Sequence, residues 1–142
     1  MDFEKEVKKF VGEILASFFP DTTIDANLNA KFLSHDESEV KAYMNDKLVH
    51  GKISFQMGKN LFNLSKALYD KVGVLHVPVM LIHGEDDGIA DVNGSRDIFR
   101  LLSTEKKVIK TYPGLYHELM NELPSDREMV LNDVMEFLGT YS

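Results

Sequence analysis

Apolar residues near the start of the chain recur with a helical period. Phe3, Val7, Phe10, Val11, Ile14, Leu15 and Phe18 form one broad stripe, with Glu4, Lys5, Lys8, Lys9 and Glu13 opposite. Pro20 ends this helix, because proline disfavours the α conformation in the residue before it. Residues 21–33 carry no period and read as loop. Ser34-x-x-Glu37 has the spacing of a capping box, so a short second helix should open at Ser34 and end near Asn45-Asp46. A longer helix is predicted from Lys52 to Lys71. Ile53, Met57, Leu61, Leu64 and Leu68 form its stripe, and Phe55 and Phe62 widen it.

Gly73 breaks this pattern, and strand then alternates with helix. Val77-Pro78-Val79-Met80-Leu81-Ile82 is a continuous apolar run bounded by His83-Gly84, the mark of a strand buried on both faces. Residues 84–94 are turn-rich. A helix should follow from Ser95 to Ser103, then a strand from Lys106 to Tyr112 ended by Pro113-Gly114, and a last helix from Asp126 to Thr140. That helix carries Met129, Val130, Val134, Phe137 and Leu138 on one side. The stretch from Val77 on therefore reads β-α-β-α, and strands joined by a crossover helix should be parallel.

Composition narrows the partners. The chain has 142 residues and a net charge of -7, with 44% hydrophobic and 27% charged residues. This is the make-up of a globular domain without clustered Lys or Arg, so nucleic acid is not an expected partner. Anionic membranes are disfavoured for the same reason, although an apolar surface could make peripheral lipid contact. Cysteine is absent, which removes disulfides, thiolate nucleophiles and cysteine-ligated zinc. No apolar run is long enough for a membrane span, and Met1-Asp2-Phe3-Glu4 does not read as a signal peptide. A cytoplasmic location is the default expectation.

Chemistry should gather where ligands bind in open parallel sheets, outside the C-terminal ends of the strands. The loop after the first strand offers Glu85, Asp86, Asp87 and Asp91; the loop after the second offers Tyr112, Tyr116, His117 and Glu118. A carboxylate bonded to Nδ1–H of an imidazole fixes its tautomer and leaves Nε2 to take a proton from a nucleophile. Taken alone, a loop histidine is more often a surface residue and acids in a turn are more often simply solvated. His83 reads as a structural or loop-anchoring residue. His35, His50 and His76 show no partner pattern, and no histidine spacing suggests a metal or a cofactor.

Longer motifs add weight. His83-Gly84-Glu85-Asp86-Asp87 after its apolar strand resembles the acid loop of α/β-hydrolases, and Tyr112-Pro113-Gly114-Leu115-Tyr116-His117-Glu118 resembles their histidine loop. Asn121-Glu122-Leu123-Pro124 continues as in monoglyceride lipases and lysophospholipases, serine hydrolases of the S33 aminopeptidase type. Leu33-Ser34-His35-Asp36, Asp46-Lys47-Leu48-Val49-His50 and the helix after them are similar to that family's cap. The resemblance implies an α/β fold equal to the C-terminal portion of an α/β-hydrolase. Residues 1–73 would form a helical cap, and residues 74–142 a β-α-β-α part of the core with two parallel strands. It makes Asp87 the acid and His117 the base of a Ser-His-Asp triad. It also implies an acyl ester lipid substrate, with Phe55, Met57 and Phe62 as lining; at helical spacing such residues are also ordinary core.

The sequence departs from the family in one large respect: G-x-S-x-G, which positions the nucleophile on a strained turn, occurs nowhere in it. Two readings follow. The chain is the C-terminal part of a serine ester hydrolase, inactive alone because serine and oxyanion loop are missing. Alternatively it is a non-catalytic interaction or oligomerisation module. Either way an unpaired strand edge and uncovered helix stripes predict self-association or docking onto an N-terminal half.

Overall fold

A computed structural model describes residues 3–141, with side chains described from Val11 to Tyr141. The part of the first helical stripe carried by Phe3, Val7 and Phe10 lies outside the described side chains. The chain divides into two compact units that interleave along the sequence: Met1–Asn27 with His50–Asp70, and Leu28–Val49 with Lys71–Ser142.

In the first unit, helix α1 spans Phe3–Phe18, and strands β1 (Thr23–Asp25) and β2 (Lys52–Ser54) pair antiparallel with Ile24 opposite Ile53. Helix α3 runs Phe55–Lys71. Residues 21–33 are thus not all loop, and the predicted helix from Lys52 begins as a strand. Three-residue strands are too short to show alternation, so their pairing partner defines them. Ser54 marks the switch to helix: its Oγ accepts from the Met57 N–H at 3.1 Å, satisfying a donor the first turn would leave open.

In the second unit, helix α2 is Glu37–Asn45 and its N-cap is Asp36, not Ser34. Asp36 Oδ1 accepts from Ser38 N at 2.9 Å. The Ser34 hydroxyl instead donates to Asn121 O at 2.6 Å and accepts from Asp36 N at 2.8 Å. A tertiary partner has overridden the local cap signal.

Strand β3 (Val79–Gly84) leads through helix α4 (Val92–Leu101) to strand β4 (Lys107–Tyr112), and helix α5 (Pro124–Tyr141) closes the chain. Helix α4 starts three residues before Ser95 because Asp91 caps it, accepting from Asn93 N at 2.8 Å. Pro124 opens α5 at a position where its missing N–H is harmless. β3 and β4 are adjacent and parallel, with Ile82 opposite Lys110 and Gly84 opposite Tyr112.

Alternation assigns the two faces of this sheet. His83, Lys107 and Thr111 point toward the α4 side, where His83 bonds Ser95 and Lys107 Nζ donates to Phe99 O and Leu102 O at the end of α4. Met80, Val108 and Lys110 face α5, where Lys110 and Tyr112 both bond Asp133. The result is helix, sheet, helix, with a small core of Tyr112, Leu115, Leu119 and Val130 packed on Ile82. Val79 to Ile82 are only half-buried, less than the run's apolarity implies. Among the described residues this sheet has two strands. No helix of the described residues is long and apolar enough to cross a membrane.

Candidate active site

Both loops at the C-terminal edge of the parallel pair depend on Gly84. A Cβ there would overlap the carbonyl oxygens of Leu115 and Tyr116, so only glycine lets the two loops touch. The contact is bonded as well as close: Glu85 N donates to Tyr112 O at 2.9 Å and Asp86 N to Leu115 O at 3.1 Å.

This apposition brings Asp87 and His117 together. His117 Nδ1 donates to Asp87 Oδ2 at 2.8 Å. The Asp87 side chain is 3% exposed and that of His117 40%, so a buried acid holds an accessible imidazole. With Nδ1–H committed to the carboxylate, Nε2 is the ring's proton acceptor.

Asp87 is held from several directions. Its Oδ1 accepts from Ile89 N at 2.7 Å and Ala90 N at 2.9 Å, and His83 Nε2 lies 3.2 Å from Oδ2. Burial pushes the Asp87 carboxyl upward, but hydrogen bonds from His117, Ala90 and Ile89 and the His117 charge outweigh it and hold it below its ordinary value. His83 anchors the loop, since Nε2 also meets Ala90 O at 3.0 Å and Nδ1 meets Ser95 Oγ at 2.7 Å. A carbonyl can only accept, so Nε2 carries the proton and Ser95 donates to Nδ1.

A lowered carboxyl pKa has a definite pH signature. It stabilises the folded chain above the unfolded value, about 3.9, and that contribution is lost as pH falls through the still lower folded value. Urea midpoints of wild type and Asp87→Asn should therefore differ most near neutrality and converge below about pH 4. A difference independent of pH would contradict this.

The other candidate acids have different work. Asp91 caps α4; Glu85 accepts from Thr111 Oγ1 at 2.6 Å and from Arg96 at 3.1 Å; Glu118 accepts from Asn121 Nδ2 at 2.8 Å. Phe55 and Phe62 border an apolar cavity of about 450 Å³ within the first unit, with Val11, Leu15, Ile24 and Ile53. Met57 does not line it and is 50% exposed. Among the described residues no cluster of three His, Asp or Glu could hold a metal.

Sequence reasoning missed His35 and Glu122. Glu122 is fully buried, and His35 Nδ1 lies 3.0 Å from both its carboxylate oxygens. They are 87 residues apart, and no local pattern pairs them.

A parallel β-α-β unit with an acid and a bonded histidine in the loops after its two strands is the arrangement expected of an α/β-hydrolase. The chain belongs to the serine aminopeptidase, S33 family, whose model matches residues 2–124. It is 33% identical to a monoacylglycerol lipase of Mycolicibacterium smegmatis over 92% of this chain and 46% of the relative. The crystal structure of a Paleococcus ferrophilus monoacylglycerol lipase superposes with a TM-score of 0.87 at 29% identity, over 96% of this chain and 52% of that one. A soluble variant of the Saccharomyces cerevisiae monoglyceride lipase, in complex with a substrate analog, gives 0.80 at 25% identity over 98% and 50%. The chain thus spans about half the length of the relatives it matches.

Proposed function

We propose that Asp87 and His117 are the acid and base of a serine ester hydrolase acting on monoacylglycerols or lysophospholipids, with the serine supplied by polypeptide outside these 142 residues. The 2.8 Å bond from His117 Nδ1 to a buried Asp87 carries this reading. In the reaction Nε2 of His117 takes the proton from the serine hydroxyl as it attacks the acyl carbonyl. The same proton then passes to the departing alcohol, and Asp87 holds the ring and balances the imidazolium charge. Residues 1–73 act as the cap, and the apolar cavity beside Phe55 and Phe62 suits an acyl chain. Met57, half exposed, does not border that cavity.

The chain alone should then be catalytically silent. A histidine with no positioned nucleophile supplies weak general-base activity at most. Hydrolysis of a short aryl ester should stay at background, and a fluorophosphonate probe should label no serine stoichiometrically. Stoichiometric labelling would reject the proposal. One observation favours the second reading, an interaction module: the sheet of β3 and β4 has two strands among the described residues, and an open strand edge templates pairing. Light scattering across a range of concentrations tests it, a rising mass supporting self-association through that edge.

A further inference from the structure

A second histidine–carboxylate pair lies beside the first. Glu122 has 0% exposure, and a buried carboxylate requires hydrogen-bond donors on both oxygens. Oε1 accepts from Tyr116 N at 2.8 Å, the amide immediately before His117. Oε2 accepts from His35 N at 2.9 Å, and the His35 Nδ1–H lies between both oxygens. The His35 ring also stacks on Tyr116, centroid to centroid at 3.7 Å.

The neighbours of His35 are bonded to the same turn. His117 N donates to Phe32 O at 3.1 Å and Glu118 N to Leu33 O at 2.8 Å. Ser34 Oγ donates to Asn121 O at 2.6 Å. Residues 32–35 therefore grip the histidine loop before, at and after His117. Their reach extends to the acid loop, because the Phe32 ring occupies the space a Cβ on Gly88 would need. One short segment thus touches both loops whose approach sets the distance between Asp87 and His117.

We infer that Glu122 is a positioning residue for His117: by binding Tyr116 N and His35 together, it fixes the backbone that aims the imidazole at Asp87. Resting on the reading of Asp87 and His117 as acid and base, this names what holds that base in place. An apolar side chain could fill the volume of Glu122 without the cost of burying a carboxylate. What it could not do is tie the Tyr116 amide to the His35 backbone and ring at once. Removal of the carboxylate should loosen the direction of the His117 ring more than it loosens the fold.

Imidazole nitrogen NMR of the intact chain reads this directly, since it reports which ring nitrogen of His117 carries the proton. Wild type should show the Nδ1–H tautomer with a low-field proton shared with Asp87. Glu122→Gln keeps the shape but exchanges one acceptor for an NH2 group. It should shift the tautomer ratio toward Nε2–H by about fivefold or more and broaden the low-field proton, at unchanged circular dichroism. Should Glu122→Gln not fold, His35→Gln removes the imidazole from the other side and should move His117 in the same direction. An unchanged His117 spectrum in a folded variant overturns the inference. Asp87→Asn is the separate control: if it too leaves His117 unchanged, the acid–base reading itself fails, whatever Glu122 does.

Discussion

Fused in frame to the part of the Mycolicibacterium smegmatis relative that it does not match, the chain should complete an ester hydrolase, and His117→Ala should lower kcat/KM by about 10⁴-fold or more. That factor corresponds to about 5 kcal/mol of transition-state stabilisation. Losses of this size follow when a serine has no base, because the hydroxyl is a poor nucleophile at its own pKa. Asp87→Asn should cost a comparable factor: the Ile89 and Ala90 amides keep the Asn carbonyl oxygen, so its NH2 group faces Nδ1 as a donor and the ring is driven to the Nε2–H tautomer. The two effects should not add: once either partner is lost the pair no longer works as a unit. Monoacylglycerol hydrolysis by the fusion is the measurement. An active fusion whose rate is indifferent to His117→Ala would exclude His117 as the base, and an additive double variant would exclude a coupled pair.

Gly84→Ala should be the most damaging single-methyl change in the second unit. The added Cβ meets backbone, the carbonyl oxygens of Leu115 and Tyr116, rather than the flexible end of a side chain. Relief requires the histidine loop to move away from β3, which breaks the Glu85–Tyr112 and Asp86–Leu115 bonds that hold the two loops together. Overpacking of this kind costs about 1–3 kcal/mol, enough to lower Tm by several degrees in a chain of this size. The same movement should abolish the low-field Asp87–His117 proton. Gly94, in the first turn of α4, where an added Cβ would meet nothing within 4 Å, is the control, and Gly94→Ala should leave that proton unaltered and raise Tm slightly, as alanine favours a helix over glycine. Equal behaviour of the two variants would show that the close approach at Gly84 is not needed.

Much of this architecture is legible in the amino-acid sequence. Helical periods locate α1 and α3, and a capping-box spacing α2, to within a few residues, and the apolar run ending in His83-Gly84 locates β3. The alternation after Gly73 implies parallel strands, and β3 and β4 are parallel. Asp87 and His117 stand at fixed places in two family motifs, and their side chains meet. These features are local: each depends on residues close in sequence, where propensity, period and turn chemistry act.

The departures share the opposite property. Ser34 has a capping-box spacing, yet its hydroxyl bonds Asn121, and the cap passes to Asp36. β1 and β2 exist because Ile24 and Ile53 find each other across an intervening stretch, not because either triplet is strand-like. By itself the sequence determined the main helices, the parallel pair and the two residues that carry the candidate chemistry. Only the tertiary structure decided what holds them: a glycine without room for a methyl, and the buried Glu122 bonded to His35, 87 residues away. The reason is physical. A hydrogen bond to a buried carboxylate depends on where the chain returns in space, and no pattern along the chain records that return.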